Sequence, residues 1–167
     1  MWVIATISAA GYRRERGYDP LQPARPTEPH EEPFSLHGMA SRVLTPEDFE
    51  WITRPHEPGE PARHVAELSE RVQFAHTRAN VWRYEPGAKG RRHRHPYQEE
   101  TFVALSGTLT MYLGDPPERV DVPVGGVVHV EPGTALQTVN HGEEDLLVYA
   151  YGTPPEDEHA QLLDSAV

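Results

Sequence analysis

From residue 70 to residue 153 the chain is a succession of short alternating runs with glycine or proline at nearly every junction. "NVWRYEPG" (80–87) ends in Pro86-Gly87, "EETFVALSG" (99–107) in Ser106-Gly107, and "TLTMYLGDPPE" (108–118) contains Gly114-Asp115-Pro116-Pro117. "ERVDVPVGG", "VVHVEPG", "TALQTVNHGE" and "DLLVYAYG" continue the pattern, and "RVQFAHT" (71–77) reads as its first member, with Val72, Phe74 and His76 alternating against polar neighbours. Alternation puts every second side chain on one face, and regular turn signals reverse the chain. No sustained helical period intervenes, which argues against a parallel βαβ arrangement, and an all-β sandwich or barrel is expected.

The residues before this region are of a different kind. Nine of the seventeen prolines precede Arg63, and "YDPLQPARPTEPHEEPF" is polar, proline-spaced and without period. Such a segment buries too little apolar area to order itself, so residues 1–38 are expected to be a disordered or extended, flexible Pro-rich arm, with Met39 a candidate natural start. Residues 39–69 read as a lead-in with one short helix around "LTPEDFEWI" (44–52), where Thr45 is the N-cap, Pro46 takes the first position and Glu47 and Asp48 the first turn. The barrel is assigned to residues 70–153 and a C-terminal tail to residues 154–167.

Composition narrows the chemistry. There is no cysteine, which excludes disulfides, thiol catalysis and Cys-ligated metals, so any metal must be held by His, Asp, Glu or water. The net charge is -11, from 26 acidic and 15 basic residues, which disfavours nucleic acid and anionic membranes as partners. The apolar opening "MWVIATISAA" is too short to span a bilayer and lacks the basic start of a secretory signal, so a cytoplasmic location is expected. The one basic cluster, Lys89, Arg91, Arg92 and Arg94, is either a solvated loop or a means of steering an anionic substrate.

That cluster surrounds the chain's most specific motif. His93 and His95 are two apart, so on a strand both imidazoles reach one interior point, and Glu100 on the next strand can add a carboxylate. Two histidines and a carboxylate form the facial set of non-haem iron sites, with positions left open. Glu99 points to the opposite face of a regular strand. Gly87, five residues, His93-x-His95, four residues, Glu100, six residues and Gly107 together resemble the first signature of the cupin superfamily at every defined position. The resemblance covers about residues 70–151. It implies a small jelly-roll (double-stranded β-helix) barrel with a cavity at one mouth, commonly binding one small ligand, and often a dimer joined through barrel edges.

The second cupin signature is broken. Its best register is Gly125, Glu131, Gly133, Leu136 and Asn140, with Glu131 in place of a proline and Leu136 in place of the third histidine ligand. A leucine offers no lone pair, which leaves three outcomes open. His93, His95 and Glu100 hold a metal with water in the vacant place; or His129, His141 or Glu99 substitutes; or the site is metal-free, with Leu136 making one wall apolar. Gln137, beside Leu136, faces away from it in a strand. Tyr97, Gln98, Tyr112 and Tyr151 are candidate polar groups of the cavity. The resemblance thus implies metal-assisted chemistry on a small oxygenated molecule, of dioxygenase or isomerase type, with Fe, Mn, Ni or Zn as the divalent ion; the alternative is a non-catalytic binder of a small molecule with weak or no metal. No DNA-binding module accompanies the barrel, since the segment at Thr45–Ile52 is too short for a helix-turn-helix.

Overall fold

A computed structural model describes residues 42–54, 57–155 and 160–167. The chain divides into two units, Met1–Met39 and Ala40–Val167, and the described residues all belong to the second. The arm expected over 1–38, and the start suggested at Met39, lie outside them. Among the described residues no helix is long and apolar enough to cross a membrane.

Eleven strands among these residues form two antiparallel sheets. The first, in the order β1-β2-β3-β10-β5-β8, joins β1 (Trp51–Thr53), β2 (Arg63–Glu67), β3 (Arg78–Tyr84), β10 (Leu146–Thr153), β5 (Glu99–Ser106) and β8 (Val127–Val130). The second, in the order β11-β4-β9-β6-β7, joins β11 (Gln161–Leu162), β4 (His93–Arg94), β9 (Leu136–Val139), β6 (Leu109–Leu113) and β7 (Glu118–Val122). Because the strands from β3 onward, the β6–β7 hairpin apart, pass back and forth between the sheets, the two inner faces close on one core. Leu109, Met111, Leu146 and Val148 lie at its centre, with Phe102, Val130 and Leu136 packed on them. This is the all-β architecture that the alternating runs predicted, in the jelly-roll form that the resemblance implied.

The central strand β10 shows how composition shapes the interior. Leu146, Val148, Ala150 and Gly152 are buried at every second position, and they shrink along the strand. The large residues fill one end of the barrel; Ala150 and Gly152 leave space at the other. That space becomes the cavity.

Three expectations change. Residues 71–77 are not a strand: Ser69–Val72 form a helical turn, α1, which ends at Gln73 with a left-handed φ of 54°. The Ser69 hydroxyl is bonded to both the N–H and the C=O of Ala79, so a side chain occupies the ladder position a preceding strand would need. The lead-in is no mere approach either, since its β1 and β2 extend the first sheet through pairs such as Val65 with Trp82. Its helix is a single 3-10 turn, Pro46–Asp48, where Asp48 accepts the Thr45 N–H at 2.8 Å. Finally, residues 160–167 are docked rather than trailing. Leu162 pairs with His93, and the Leu163 N–H donates to Arg92 O.

Candidate metal centre and cavity

The site bridges the two sheets. His93 begins β4 in the second sheet and His95 follows it, while Glu100 stands on β5 in the first. Alternation along β5 turns Glu100 inward and Glu99 outward. One ligand atom from each of His93, His95 and Glu100 lies within 4.8 Å of the others, the sole such group among the described residues. Glu100 Oε2 is 3.8 Å from His93 Nε2 and 3.7 Å from His95 Nε2. Around an ion with bonds of about 2.1 Å, neighbouring ligand atoms sit about 3 to 3.4 Å apart, so each glutamate–histidine distance needs to shorten by only a few tenths of an ångström. These residues fit a divalent metal.

Local backbone prepares each ligand. The His93 Nδ1–H donates to the Arg91 carbonyl at 2.8 Å, which leaves the Nε2 lone pair directed at Glu100. A backbone carbonyl behind an imidazole is the usual device for fixing the ligating tautomer. Burial pulls the His93 pKa below the ordinary histidine value, and the charges of His95, Arg63 and Arg78 add to this against the Arg91 hydrogen bond. A neutral ring is the form that binds metal. The His95 carbonyl accepts the Gly133 N–H at 2.7 Å, and Gly133 has φ +82°, a conformation that favours glycine. The second signature's glycine therefore anchors the first signature's histidine.

Leu136 is the antiparallel partner of His93 across β4 and β9, and it is buried against the cavity. A methyl-bearing wall stands where a further ligand would be. The expected substitutes are not brought to it. His129 is half-exposed on β8, beside Thr101 (3.3 Å) and Glu99 (3.7 Å); both belong to the outer face of the first sheet. His141 is exposed and meets the Tyr112 hydroxyl at 3.2 Å. Sequence distance misled here, because a residue next to Asn140 in the chain need not face the same way.

The cavity measures about 390 Å³. Of the polar groups expected in it, Gln98 and Tyr151 are present. Tyr112 instead pairs with His141, and Tyr97 is 72% exposed and outside the lining. Gln98 lies against Gly152, where an added Cβ would come within 2.5 Å of Gln98 Cδ, and its Nε2 donates to Pro154 O at 2.8 Å. Several lining residues escaped the sequence reading: Arg78, Asn80, Trp82 and Tyr84 from alternate positions of β3, Arg63 from β2, and Thr138 from β9. The period-two pattern along β3 was a usable signal. Tyr84 is buried, and that burial pushes its phenol pKa up.

Of the basic cluster, only Arg91 lines this cavity. Arg92 is buried and structural, donating to Gly114 O at 2.8 Å and facing Asp115 at 3.4 Å. Lys89 reaches Glu60 at 3.7 Å and Val167 O at 3.3 Å.

A two-sheet jelly roll with two histidines and a glutamate converging in a mouth cavity is the architecture of a known class. Residues 80–151 match the family model described as Cupin domain. Solved structures share the fold. An uncharacterised conserved protein with a double-stranded β-helix domain from Klebsiella pneumoniae is 23% identical with TM-score 0.58, over 75% of this chain and 100% of that one. A sugar phosphate isomerase from a cupin superfamily, from Silicibacter pomeroyi, is 22% identical with TM-score 0.58, over 67% and 75%. The polyketide cyclase RemF from Streptomyces resistomycificus is 15% identical with TM-score 0.63, over 75% and 87%. No curated protein matches the sequence.

Proposed function

We propose that this cupin domain performs divalent-metal-assisted chemistry on a small oxygenated molecule, in a reaction of the dioxygenase or isomerase kind. The observation that carries this reading is the convergence of His93, His95 and Glu100 on a cavity of about 390 Å³. Fe, Mn, Ni and Zn all suit two imidazoles and a carboxylate. Bound there, such an ion supplies Lewis-acid polarisation or oxygen activation. The protein's own contribution is positional. Arg91 O holds the His93 ring in the donor-ready tautomer, Leu136 keeps one side of the site apolar, Ala150 leaves room for a ligand, and Gly152 leaves room for the lining side chain of Gln98. The cavity volume suits one small molecule.

A second reading rests on Leu136. A set short of one histidine binds metal more weakly, and the same cavity without metal would be a small-molecule receptor. Elemental analysis of untagged protein, purified without chelator beside a His93→Ala variant, separates the two. Near-stoichiometric metal that the variant loses supports the metalloenzyme. Protein that arrives metal-free and refuses Fe(II), Mn(II), Ni(II) and Zn(II) leaves the binding role.

A further inference from the structure

We propose that the molecule this cavity takes is a small oxyanion, a carboxylate or phosphate compound, recognised by Arg63, Arg78 and Arg91. The proposal rests on the reading of the cavity as the ligand site and names the class of ligand.

The protein as a whole is acidic, at -11, yet this cavity is basic. Among the described residues its lining includes Arg63 from β2, Arg78 from β3 and Arg91 from the loop before β4, against one carboxylate, Glu100. Elsewhere the abundant acidic residues neutralise arginines: Arg54 pairs with Glu67, Arg71 with Glu50, Arg92 with Asp115 and Arg119 with Asp121. Among the described residues none of the cavity arginines has a carboxylate within ion-pair distance. Arg42 and Arg94 likewise show no carboxylate partner among the described residues, so what distinguishes these three is that one cavity gathers them. Three guanidinium groups brought together from three separate elements repel one another, and an anion between them relieves that repulsion.

The orientation of Arg63 is set. Its guanidinium lies over the Trp82 ring, 5.5 Å from the centroid, and is hydrogen-bonded to the Tyr84 hydroxyl, so two lining residues hold it in place while its remaining N–H groups can serve a ligand. Arg91 serves twice: its carbonyl fixes the His93 ring, and its side chain lines the mouth. Arg63, Arg78 and Arg91 line the same cavity as His93, His95 and Glu100. Recognition and the candidate metal set are therefore parts of one chamber. Guanidinium groups only donate hydrogen bonds, so the lining has an excess of donors and asks for a ligand rich in acceptors. A neutral polyol, half donor itself, satisfies it poorly. A polyanion is excluded by the small volume and by the repulsion of the acidic surface.

Calorimetric titration at constant ionic strength tests this with inorganic phosphate, malonate and neutral erythritol as probes, on protein as isolated and again after metal removal with EDTA. Phosphate or malonate is expected to bind at least about tenfold more tightly than erythritol, and each of Arg63→Gln, Arg78→Gln and Arg91→Gln to weaken that anion about five- to tenfold. Which anion binds better identifies the group recognised. Glu100→Gln, which deletes the carboxylate among the described lining residues, is expected to tighten the anion in metal-free protein. Circular dichroism verifies that each variant is folded. Equal binding of erythritol, or arginine variants that bind the anion like the wild type, would overturn the proposal. So would an anion preference that vanishes with the metal, since the ion and not the arginines would then be the receptor. Retained anion binding in a protein that takes up no metal would sink the metalloenzyme reading alone.

Discussion

Leu136 and His93 are directly opposed in the β4–β9 ladder, so the place where a further imidazole could approach the candidate ligands is filled by an isobutyl group. Leu136→His should therefore add a ligand from an already inward-facing position. Metal affinity is expected to rise by about tenfold or more, equivalent to about 1.4 kcal/mol, as read by competition against a chromogenic chelator. Leu136→Ala is the control. It should cost about 2–5 kcal/mol in urea unfolding by leaving a cavity, with no gain in affinity.

Gly152 and Gln98 occupy space that only one of them can use. With an added Cβ 2.5 Å from Gln98 Cδ, and the amide tied to Pro154 O, Gly152→Ala is expected to cost about 1–3 kcal/mol by overpacking. Gln98→Ala made in the same chain should recover much of that loss. A double-mutant cycle in urea measures the coupling, and additive costs would show that the clash is relieved elsewhere.

Gln137 is buried on the side of β9 away from Leu136. Its Nε2 donates to Gly90 O and Ser165 Oγ, both at 2.9 Å, and its Oε1 accepts the Ala166 N–H at 2.7 Å. Gln137→Leu leaves the Gly90 carbonyl and the Ala166 N–H without these partners, at a cost of about 1–3 kcal/mol. The C-terminal residues should then be trimmed faster by carboxypeptidase Y than in the wild type.

Acid sensitivity should reach Asp121. The buried Thr110 hydroxyl donates to it at 2.6 Å and Arg119 Nε at 3.1 Å, and these bonds hold its carboxyl below the ordinary value of 3.8. A depressed folded-state pKa gives stability that is present above the unfolded value and lost as pH falls through the folded one. Thr110→Val is expected to remove about 0.5–1 kcal/mol near neutral pH, a modest figure because Asp121 is about half exposed. Below pH 3 the gap to the wild type should narrow, which urea midpoints across pH 2–7 would record.

The barrel was legible because alternation and turn residues are local properties. Every run from "NVWRYEPG" to "DLLVYAYG" is a strand. "RVQFAHT" failed for an equally local reason, since the Ser69 hydroxyl caps the Ala79 position and Gln73 turns left-handed. The ligand trio could be read from spacing alone, because i and i+2 on a strand share a face. The substitutes could not: His129 and His141 are near in number, but their strand and loop face outward.

Alternation along the chain therefore determined an all-β sandwich or barrel, and the resemblance to the cupin signatures added the jelly roll, the candidate set of His93, His95 and Glu100, and the leucine where a histidine was expected. Tertiary structure alone decided the character of the chamber around them. Arg63, Arg78 and Arg91 are separated in the chain by up to 28 positions and carry no shared motif, and only the pairing of β2 with β3 and the entry into β4 bring them to one mouth. Charges that converge through pairing across strands leave no periodic trace, because each obeys its own strand's alternation and none fixes another's register.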